Sequence, residues 1–424
     1  MIRLFPSTFC GSISSPCSKS MAHRMLICAA LCHEPTLFSF DGEMDALGDD
    51  IQATIASLKA LCADIRSEKE GELLVNPTSL HPFPLLPCKE SGSSLRFLLP
   101  IVWALGGGQF SGEESLFKRP NQHLLAQLTA HGARIAQETG RISIQGNALG
   151  GQFVLPGNVT SQYVSGLLLA SPLLTLDVQI HLTSPLQSLP YVKMTMEVMR
   201  SFGVKVEHSE NDFFVQKGQR YKTQGMYALE GDWSSAAYAL GLGALNGDVI
   251  MTGLQGDSLQ GDSLQGDRSI LTLFKRMGVD VTLEKEGVRV RNQGRLSAID
   301  VDMTDIPDLF PLLCALLMHA KGTSTLRHVE RLQWKECDRL QACFHMVRSL
   351  GGKATLEGDN MVIYGVANAK GGILPITNDH RMVMAGAIAS CRCEKSTIMH
   401  DEKAVAKSYP LFFQHYQQLR GKIL

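Results

Sequence analysis

Long apolar runs are missing from this sequence, and so is a marked excess of charge of one sign. No stretch of its 424 residues approaches the roughly 20 apolar residues of a transmembrane helix, and no apolar segment precedes Lys19. We therefore expect neither a membrane span nor a signal peptide. The formal net charge of -1 argues against broad binding of nucleic acid, so any anion site must come from local clustering of bases.

Paired cysteine motifs are also missing. The eleven cysteines are scattered, and neither Cys28 with Cys32 nor Cys391 with Cys393 has the spacing of a zinc site. We expect Cys28 and Cys32 to share one helix, most thiols to be buried without disulfides, and the protein to use no metal or cofactor. With 44% hydrophobic and 19% charged residues, the chain is predicted to form two globular domains in the cytoplasm.

Six short runs of small or charged residues open directly into apolar segments that are predicted to be helices. Their central residues are 73, 69, 72, 74 and 73 residues apart. A helix N-terminus attracts anions because its first N–H groups lack intrahelical partners and the helix dipole is positive there. Six such ends at one period predict a repeated fold that can build an anion-binding cleft. The openings are residues 18–20, 91–93, 160–162, 232–234, 306–308 and 379–381.

A second signal has the same period, because predicted amphipathic helices end in glycines that are 71, 75, 73 and 70 residues apart. Glycine suits the left-handed residue that closes a helix. Apolar spacing predicts helices over 51–65 and 340–350, and short β-like runs cover 279–283 and 288–291. Each repeat therefore contains two helices and several short strands, with three repeats in each domain. The glycines are Gly132, Gly203, Gly278, Gly351 and Gly421.

A local duplication interrupts this pattern. The unit Gln-Gly-Asp-Ser-Leu recurs almost three times over residues 254–267, before a helix predicted to begin near Arg268. Surface loops tolerate such insertions at a small cost in free energy. We expect the extra copies to lengthen a loop, and only the last copy, residues 264–268, to be structural.

Eight basic residues lie in or beside the openings and short loops. Arginine can hold a phosphate or carboxylate through two hydrogen bonds, and lysine supplies a compact charge or a proton. Several converging bases imply a substrate with several negative charges. Asp308 and Glu336 lie among them, and because acids are poor anion ligands, proton transfer explains them better. The bases are Lys19, Arg24, Arg96, Arg119, Lys335, Arg339, Arg381 and Lys407.

Seven stretches, in order along essentially the whole chain, resemble the 5-enolpyruvylshikimate-3-phosphate synthase family. Lys-Glu-Cys-Asp-Arg at 335–339 and Asp-His-Arg-Met at 379–382 are together highly specific. The resemblance implies an α/β (α+β) fold of two similar domains, each of three βαβαββ units in an inside-out barrel, with the active site in the cleft between them. The other stretches are 16–24, 90–96, 159–163, 306–308 and 406–410.

The implied reaction transfers the enolpyruvyl group of phosphoenolpyruvate to the 5-hydroxyl of shikimate 3-phosphate and releases phosphate, on the shikimate pathway towards chorismate and aromatic amino acids. Asp308 would be the base towards the attacking hydroxyl, and Glu336 would serve proton transfer at the methylene carbon with Lys19 or Lys407 as acid partner. Shikimate 3-phosphate would contact Lys19, Ser20, Arg24, Thr160, Ser161, Gln162, Ser188, Tyr191, Asp308 and Lys335. Phosphoenolpyruvate would contact Lys19, Gly92, Arg119, Gln162, Arg339, Arg381 and Lys407.

Four positions depart from the common pattern of the family: Cys17, Glu90, Phe97 and Arg331. Cys17 adds a side chain beside the substrate loop, and an acid at Glu90 would be unfavourable if it faced phosphoenolpyruvate. Arg331 could replace or miss a contact to the phosphate of shikimate 3-phosphate. Gly92 leaves room for glyphosate in the phosphoenolpyruvate subsite, so inhibition is expected.

The repeats and the family together predict a discontinuous domain of residues 1–15 with 231–424 and a second domain of residues 16–230. The crossovers near 15 and 230 would be the hinge. We expect a monomer with small-molecule substrates and with no nucleic-acid or membrane partner.

Two alternatives remain open. A UDP-N-acetylglucosamine enolpyruvyl transferase shares the fold but typically has Lys-Asn in the first opening and a reactive cysteine in an early loop; here Ser20 follows Lys19, and residues 108–119 contain no cysteine. The other is a fold relative: an RNA terminal phosphate cyclase, which would need a nucleophilic histidine such as His380, or a non-catalytic binder. A binder would be expected to have lost acids or bases that this chain retains.

Overall fold

The computed structural model describes residues 1–41, 46–254, 263–285, 287–292 and 294–424. The chain divides into two compact units. The discontinuous unit is Met1–Ser18 with Glu230–Leu424, and the continuous unit is Lys19–Leu229. The domain boundaries near residues 15 and 230 remain a prediction. Among the residues that the structure describes, no helix is long and apolar enough to cross a membrane.

Helices and short strands alternate in the continuous unit, and elements are numbered along the whole chain. The helices are α1 (Lys19–Ala30), α2 (Asp49–Leu61), α3 (Gly92–Ala104), α4 (Glu114–Lys118), α5 (Gln122–Ala130), α6 (Ser161–Ala170) and α7 (Leu189–Ser201). The strands are β3 (Thr36–Ser39), β4 (Ala63–Ser67), β5 (Glu72–Pro77), β6 (Leu85–Lys89), β7 (Gly107–Gly112), β8 (Ala133–Glu138), β9 (Arg141–Gly146), β10 (Gly151–Leu155), β11 (Val178–Leu182), β12 (Glu207–Ser209), β13 (Asp212–Val215) and β14 (Met226–Ala228).

The discontinuous unit has the same alternation. Its helices are α8 (Trp233–Asn246), α9 (Ile270–Arg276), α10 (Phe310–Leu317), α11 (Arg339–Ser349), α12 (His380–Ser390) and α13 (Phe412–Gln418). Its strands are β1 (Ile2–Leu4), β2 (Phe9–Ser14), β15 (Gly247–Thr252), β16 (Asp280–Leu283), β17 (Gly287–Asn292), β18 (Val301–Asp302), β19 (Thr323–Arg327), β20 (Lys353–Glu357), β21 (Asn360–Tyr364) and β22 (Thr397–Met399).

One sheet pattern recurs in both units. The four-stranded sheets have the orders β14-β3-β5-β4, β6-β7-β9-β8, β10-β11-β13-β12, β2-β15-β17-β16 and β18-β19-β21-β20. In each order the first pair is parallel and the other two pairs are antiparallel. A parallel pair needs a crossover, and a buried helix supplies it, as α3 does between β6 and β7. This is the βαβαββ repeat that was predicted.

Strands from the chain termini of each unit complete its first repeat. In the continuous unit, β14 is the last strand in sequence, yet it pairs with β3 as the first strand of the first sheet. In the discontinuous unit, the N-terminal strand β2 pairs in parallel with β15. The last repeat has fewer strands. Its strand β22 pairs with β1, and Ile398 within β22 forms one isolated parallel bridge with Ile373. The discontinuity of the unit follows from this strand exchange.

Side-chain caps explain where the buried helices begin. Ser91 accepts a hydrogen bond from the backbone N–H of Ser94 at the start of α3, and Thr160 accepts one from Gln162 at the start of α6. Asp232 and Asp379 cap α8 and α12 in the same way. Four predicted helix starts are therefore confirmed with their caps, and α1 begins at Lys19 as predicted. At the opening 306–308 the chain first makes a 3-10 turn, Pro307–Leu309, before α10.

Glycine lets two central helices of the continuous unit approach closely. A Cβ atom added at Gly166 in α6 would lie 2.3 Å from the backbone oxygen of Arg96 in α3. Such a contact is impossible for any other residue without moving a helix. Because α3 and α6 both begin at predicted anion-binding openings, this packing holds their N-terminal ends in a fixed relation.

Several predicted boundaries are wrong in detail. The helix predicted over 51–65 ends at Leu61, and Ile65 lies in β4, where its burial continues the apolar spacing. Cys32 lies beyond the end of α1. The left-handed residue after α13 is Arg420 rather than Gly421, although Gly132, Gly203, Gly278 and Gly351 all have positive φ as predicted.

Most of the thiols are buried, as predicted: nine of the eleven free cysteines are buried. Burial raises the pKa of Cys88 to about 12. Such thiols remain protonated and unreactive at neutral pH. For the duplicated segment, residues 255–262 lie outside the described ranges, while the last copy is described.

Candidate active site

Arg24 fastens helix α1 to helix α7 in the continuous unit. Its Nε donates to Thr195 Oγ1 at 2.7 Å, and its Nη2 donates to the backbone oxygen of Tyr191 at 3.0 Å. Its Nη1 donates to the backbone oxygen of Ser20 at 2.7 Å. Arg24 is 3% exposed, and burial lowers its pKa to about 10, so it stays cationic at neutral pH. The predicted residues Ser20 and Tyr191 are therefore held together through one guanidinium group.

Ser188 is connected to Arg24 through Tyr191. It precedes α7 in the left-handed conformation, with φ of 60°, and it is buried. A non-glycine residue in that region is strained and persists where its surroundings hold it. The backbone N–H of Tyr191 donates to the Ser188 oxygen at 3.1 Å. Arg24, Ser188 and Tyr191 thus belong to one ordered corner of the unit.

Gln162 and Arg96 join the N-terminal ends of α6 and α3. Arg96 Nη1 donates to Gln162 Oε1 at 2.6 Å, and Gln162 Nε2 donates to Ser93 Oγ at 3.0 Å. Arg96 Nε also donates to Asn121 Oδ1 at 2.9 Å. With the amide of Gln162 oriented on both sides, its position is well determined. Thr160 and Ser161 flank it, as the cap and the first residue of α6.

Gly92 leaves a narrow space between two cationic side chains. A Cβ atom added there would lie 3.1 Å from Arg96 Nη1 and 3.3 Å from Arg119 Nη1, which is closer than ordinary contact. Gln162 Oε1 would lie 3.6 Å away. The structure therefore brings Gly92, Arg119 and Gln162 together beside the N-terminal end of α3. Positive charge and backbone N–H groups in one place favour an anion.

Lys19 begins helix α1 and forms an ion pair with Asp50. The distance from Lys19 Nζ to Asp50 Oδ2 is 2.8 Å, and the side chains are 13% and 14% exposed. Asp50 lies in the first turn of α2, where an acid is favourable to the helix dipole. The sequence reasoning did not identify Asp50. We call Lys19, Arg24, Gly92, Arg119 and Gln162 with their partners the continuous-unit cluster.

Arg339 is the centre of a second cluster, in the discontinuous unit. It is 1% exposed and donates to three carboxylates: Nε to Asp379 Oδ2 at 2.8 Å, Nη1 to Asp308 Oδ1 at 2.9 Å, and Nη2 to Glu336 Oε2 at 2.6 Å. These carboxylates hold the pKa of Arg339 well above its usual value against the effect of burial. The two predicted acids therefore share one cation.

Asp308 also contacts Arg381 and Lys335. Arg381 Nη2 donates to Asp308 Oδ2 at 3.0 Å, and Lys335 Nζ lies 3.6 Å from Asp308 Oδ1. Burial alone would raise the pKa of Asp308, but Arg381, Lys335 and Arg339 hold it well below its usual range. Burial lowers the pKa of Lys335 to about 8, against the opposing charge of Asp308. Asp308 is therefore ionised at neutral pH, and Lys335 loses its proton at about pH 8.

Lys407 lies at the end of the 3-10 helix Glu402–Lys407 and is 8% exposed. Its Nζ donates to the backbone oxygen of Asn378, one residue before the cap of α12. Lys407 is thereby held beside the opening that carries Arg381. We call Asp308, Lys335, Glu336, Arg339, Arg381 and Lys407 with Asp379 the discontinuous-unit cluster.

The four departures from the family pattern have defined contacts. Glu90 accepts a hydrogen bond from Ser115 Oγ at 3.1 Å. Arg331 donates to the backbone oxygen of Thr304. Phe97 is buried, and the guanidinium carbon of Arg24 lies 4.9 Å from the centre of its ring. Cys17 is buried and forms a backbone bridge with Gly231.

Sequence reasoning missed the buried partners of the basic residues. Asp379 was noted as part of an opening, but its contact with Arg339 spans 40 residues of sequence. Thr195 and Asn121, which accept hydrogen bonds from Arg24 and Arg96, carried no motif. Of these partners, only Asp379 could have been recognised from the sequence, because an acid directly before a helix is a typical N-cap.

The fold and the two clusters define the class of α/β proteins that hold acids beside buried bases, an arrangement suited to small anions with several charges. Buried arginines lie in the first two turns of α1, α3, α11 and α12, and the discontinuous-unit cluster adds carboxylates that can move protons.

The chain belongs to the EPSP synthase (3-phosphoshikimate 1-carboxyvinyltransferase) family, whose sequence model matches residues 6–416. A 3-phosphoshikimate 1-carboxyvinyltransferase of Methanocorpusculum labreanum is 35% identical, over 97% of this chain and 97% of the relative. The enzyme of the same name from Clostridioides difficile is 34% identical, over 100% of this chain and 98% of the relative. An EPSP synthase structure from Acinetobacter baumannii covers 100% of this chain and 99% of its own, with a TM-score of 0.79 and 23% identity.

This membership confirms the predicted fold class and the predicted reaction. The family transfers an enolpyruvyl group from phosphoenolpyruvate to shikimate 3-phosphate, and the chain is a transferase of that kind. The alternative acceptor, UDP-N-acetylglucosamine, is not favoured, because the family and the named relatives are all of the shikimate type.

Proposed function

We propose that residues of both clusters take part in the reaction, with the roles that the family resemblance implies. The observation that supports this most strongly is the network around Arg339, where one buried guanidinium joins Asp308 and Glu336. Enolpyruvyl transfer requires cations to hold phosphoenolpyruvate and acid–base groups to move protons. Arg339 and its two acids supply both kinds of group in one place.

Shikimate 3-phosphate is proposed to bind at Lys19, Ser20, Arg24, Thr160, Ser161, Gln162, Ser188 and Tyr191, with Asp308 and Lys335 at its ring. Arg24 supports this by organising Ser20 and Tyr191, because each of its nitrogens donates to the protein. The phosphate would meet Lys19 and the N-terminal ends of α1 and α6, where backbone N–H groups favour anions. Lys19 would then exchange its contact with Asp50 for one with substrate.

Phosphoenolpyruvate is proposed to bind at Lys19, Gly92, Arg119, Gln162, Arg339, Arg381 and Lys407. Arg119 and Gly92 would accommodate one charged end, since the missing Cβ of Gly92 leaves the space that an anion needs beside Arg119. Arg339 and Arg381 would hold the other, because guanidinium groups match planar carboxylates and phosphates with two hydrogen bonds. Two anionic groups on one small molecule thus account for two sets of bases.

The chemistry begins with protonation of the phosphoenolpyruvate methylene carbon, which creates a cationic centre that the 5-hydroxyl attacks. Loss of a methyl proton and of phosphate from the tetrahedral intermediate then restores the double bond. Glu336, with Lys19 or Lys407 as acid partner, is proposed to move the proton at carbon. Asp308 is proposed to accept the hydroxyl proton.

To accept a proton from the hydroxyl, Asp308 needs a higher pKa than the low value that its neighbouring cations impose. An anion bound to Arg339 and Arg381 would draw those guanidinium groups towards itself and weaken their hold on the carboxylate. The pKa of Asp308 would then rise from its low value, because the cations that depress it are partly neutralised. Binding of phosphoenolpyruvate would in this way raise the basicity of Asp308 towards the 5-hydroxyl.

The wider setting of the enzyme follows from the same proposal. Its substrates are small anions, so no nucleic-acid or membrane partner is needed, and we propose a cytoplasmic monomer. The domains would be residues 1–15 with 231–424 and residues 16–230, joined by a hinge at the two crossovers. Light scattering on the purified protein tests the monomer, and a dimer mass would contradict it.

Initial rates of phosphate release test the function and the roles. Phosphoenolpyruvate with shikimate 3-phosphate should release phosphate, whereas phosphoenolpyruvate with UDP-N-acetylglucosamine should not. Lys19→Met and Glu336→Gln should lower kcat at least about a hundredfold, as expected for acid–base groups. Lys59→Met and Glu357→Gln change exposed residues of the same types and serve as controls. Unchanged turnover in an assigned variant would remove that role.

A further inference from the structure

Asp267 is a buried carboxyl that the proposed mechanism does not use. It lies in the 3-10 helix Gly266–Ser269, within the last copy of the duplicated segment, and is 2% exposed. Ser234 Oγ donates a hydrogen bond to its Oδ2. Gln265 accepts from the backbone N–H of Trp233 at 3.0 Å and donates to the backbone oxygen of Gly231 at 2.9 Å. The segment is therefore fastened to the N-terminal end of α8.

The surroundings of Asp267 disfavour its charge. In the described part of the chain it forms no ion pair within 4.0 Å, and its Oδ1 has no hydrogen-bond partner. An ionised carboxylate buried in this way is costly unless a cation neutralises it. The charged groups that act on it are Asp308, Arg381 and Asp232. Burial and the charge of Asp308 raise the pKa of Asp267 to about 7, and Arg381 opposes them.

Arg381 is the cation that Asp267 influences. One of its nitrogens, Nη2, donates to Asp308, and Nη1 has no hydrogen-bond partner among the described residues. Arg381 is 4% exposed. A buried nitrogen without a partner is costly, and a bound anion would satisfy it. The charge on Asp267 adds to that of Asp308 in setting how strongly Arg381 attracts that anion.

We propose that Asp267 is a positioning residue for phosphoenolpyruvate binding: its carboxyl takes up a proton from solvent when an anionic group binds Arg381. This inference rests on the proposed role of Arg381. The step is a protonation: one O–H bond forms on the carboxylate as a hydronium ion of the solvent gives up its proton and becomes water. With Asp267 neutral, the positive charge of Arg381 is available to the substrate. With Asp267 ionised, part of that attraction is cancelled.

The sign of the pH effect follows directly. Below about pH 7 Asp267 is protonated and phosphoenolpyruvate binds well, whereas above that value the carboxylate must first be protonated. The KM for phosphoenolpyruvate therefore rises with pH, by at most about tenfold for each pH unit, because a single proton is linked to binding. The kcat should not follow this rise, since Asp267 does not touch the reacting atoms.

Asp267→Asn tests the inference, because an amide has nearly the shape of the protonated carboxyl and can accept the Ser234 hydrogen bond. The KM for phosphoenolpyruvate is measured with saturating shikimate 3-phosphate from about pH 6 to about pH 9. The ratio of wild-type to variant KM removes the ionisation of phosphoenolpyruvate itself. The ratio should rise several-fold across this range while the kcat ratio stays constant. A KM ratio that does not change with pH would overturn the inference.

Two further variants keep the test decisive. Ser234→Ala removes the hydrogen bond to the ionised carboxylate, so the rise in KM should move to higher pH, and an unmoved profile would count against the inference even if Asp267→Asn fails to fold. Asp280→Asn removes an exposed carboxylate of the same unit and should leave the profile unchanged. Wild-type protein that releases no phosphate would overturn the proposed function as well; active protein with a constant ratio would overturn this inference alone.

Discussion

Arg339 Nε donates to Asp379 Oδ2 at 2.8 Å, and both side chains are almost completely buried, with exposures of 1% and 0%. Asp379 Oδ1 also accepts the backbone N–H of Arg381 at 2.8 Å, at the start of α12. One carboxylate therefore orients one proposed substrate-binding arginine directly and fixes the helix end that carries the other. This contact links the stability of the discontinuous-unit cluster to its proposed chemistry.

Asp379→Asn should weaken both properties. Asp379→Asn removes one of the three carboxylate charges around Arg339, which keeps its contacts with Asp308 and Glu336, so the loss is that of one charged hydrogen bond, about 2 kcal/mol of unfolding free energy. The kcat/KM for phosphoenolpyruvate should fall at least about tenfold, because Arg339 loses its orientation. Urea unfolding and initial rates measure the two effects. Stability and kcat/KM equal to those of wild type would show that the contact has neither role.

Arg24→Lys should impair binding of shikimate 3-phosphate more than turnover. A lysine ammonium cannot reproduce three hydrogen bonds in a fixed fork, so Ser20 and Tyr191 lose their common anchor. The dissociation constant of shikimate 3-phosphate, measured by calorimetry, should rise at least about tenfold, which corresponds to about 1.4 kcal/mol. Arg66→Lys, at a 59% exposed side chain, is the matched control. An unchanged dissociation constant in Arg24→Lys would contradict this role.

Gly92→Ala should raise the KM for phosphoenolpyruvate and weaken inhibition by glyphosate. The added methyl group would lie 3.1 Å from Arg96 Nη1 and 3.3 Å from Arg119 Nη1, so the guanidinium groups must move away. Wild-type enzyme should be inhibited by glyphosate in competition with phosphoenolpyruvate. Gly294→Ala meets its nearest atom at 3.5 Å, an ordinary contact, and is the control. Unchanged wild-type turnover at millimolar glyphosate would show that the subsite was misread.

Lys335 should set the alkaline limit of activity. Burial lowers its pKa to about 8, so it loses its proton and its positive charge as the pH rises through that value. The kcat/KM for shikimate 3-phosphate should therefore fall above about pH 8. Lys335→Arg keeps the charge at alkaline pH and should move this fall upwards by at least about one pH unit. The same alkaline limb in the variant and in wild type would assign the titration to another group.

The repeated features of the fold were predictable because they depend on local sequence. Caps such as Ser91 and Thr160 and left-handed glycines such as Gly132 act within a few residues, so their spacing is visible without a structure. Boundaries were wrong where two local signals overlap. Ile65 continued a helical spacing although it lies in β4, and Pro307 placed a 3-10 turn before α10.

The contacts within the clusters were not predictable, because they join residues that are distant in sequence. Lys19 meets Asp50, and Arg24 meets Thr195, 171 residues further along the chain. The bases could be recognised from their positions and from the family resemblance, but their buried acceptors carried no motif. Asp267 is the clearest case, since its sequence context is a duplicated loop and its significance lies in its burial beside Ser234.

The most direct test of the central claim is mass spectrometry of the products after phosphoenolpyruvate and shikimate 3-phosphate are incubated with the purified protein. The account predicts that shikimate 3-phosphate gains one enolpyruvyl group for each phosphate released, and that UDP-N-acetylglucosamine in a parallel reaction gains none. Phosphate released without that product, or transfer to UDP-N-acetylglucosamine instead, would contradict it.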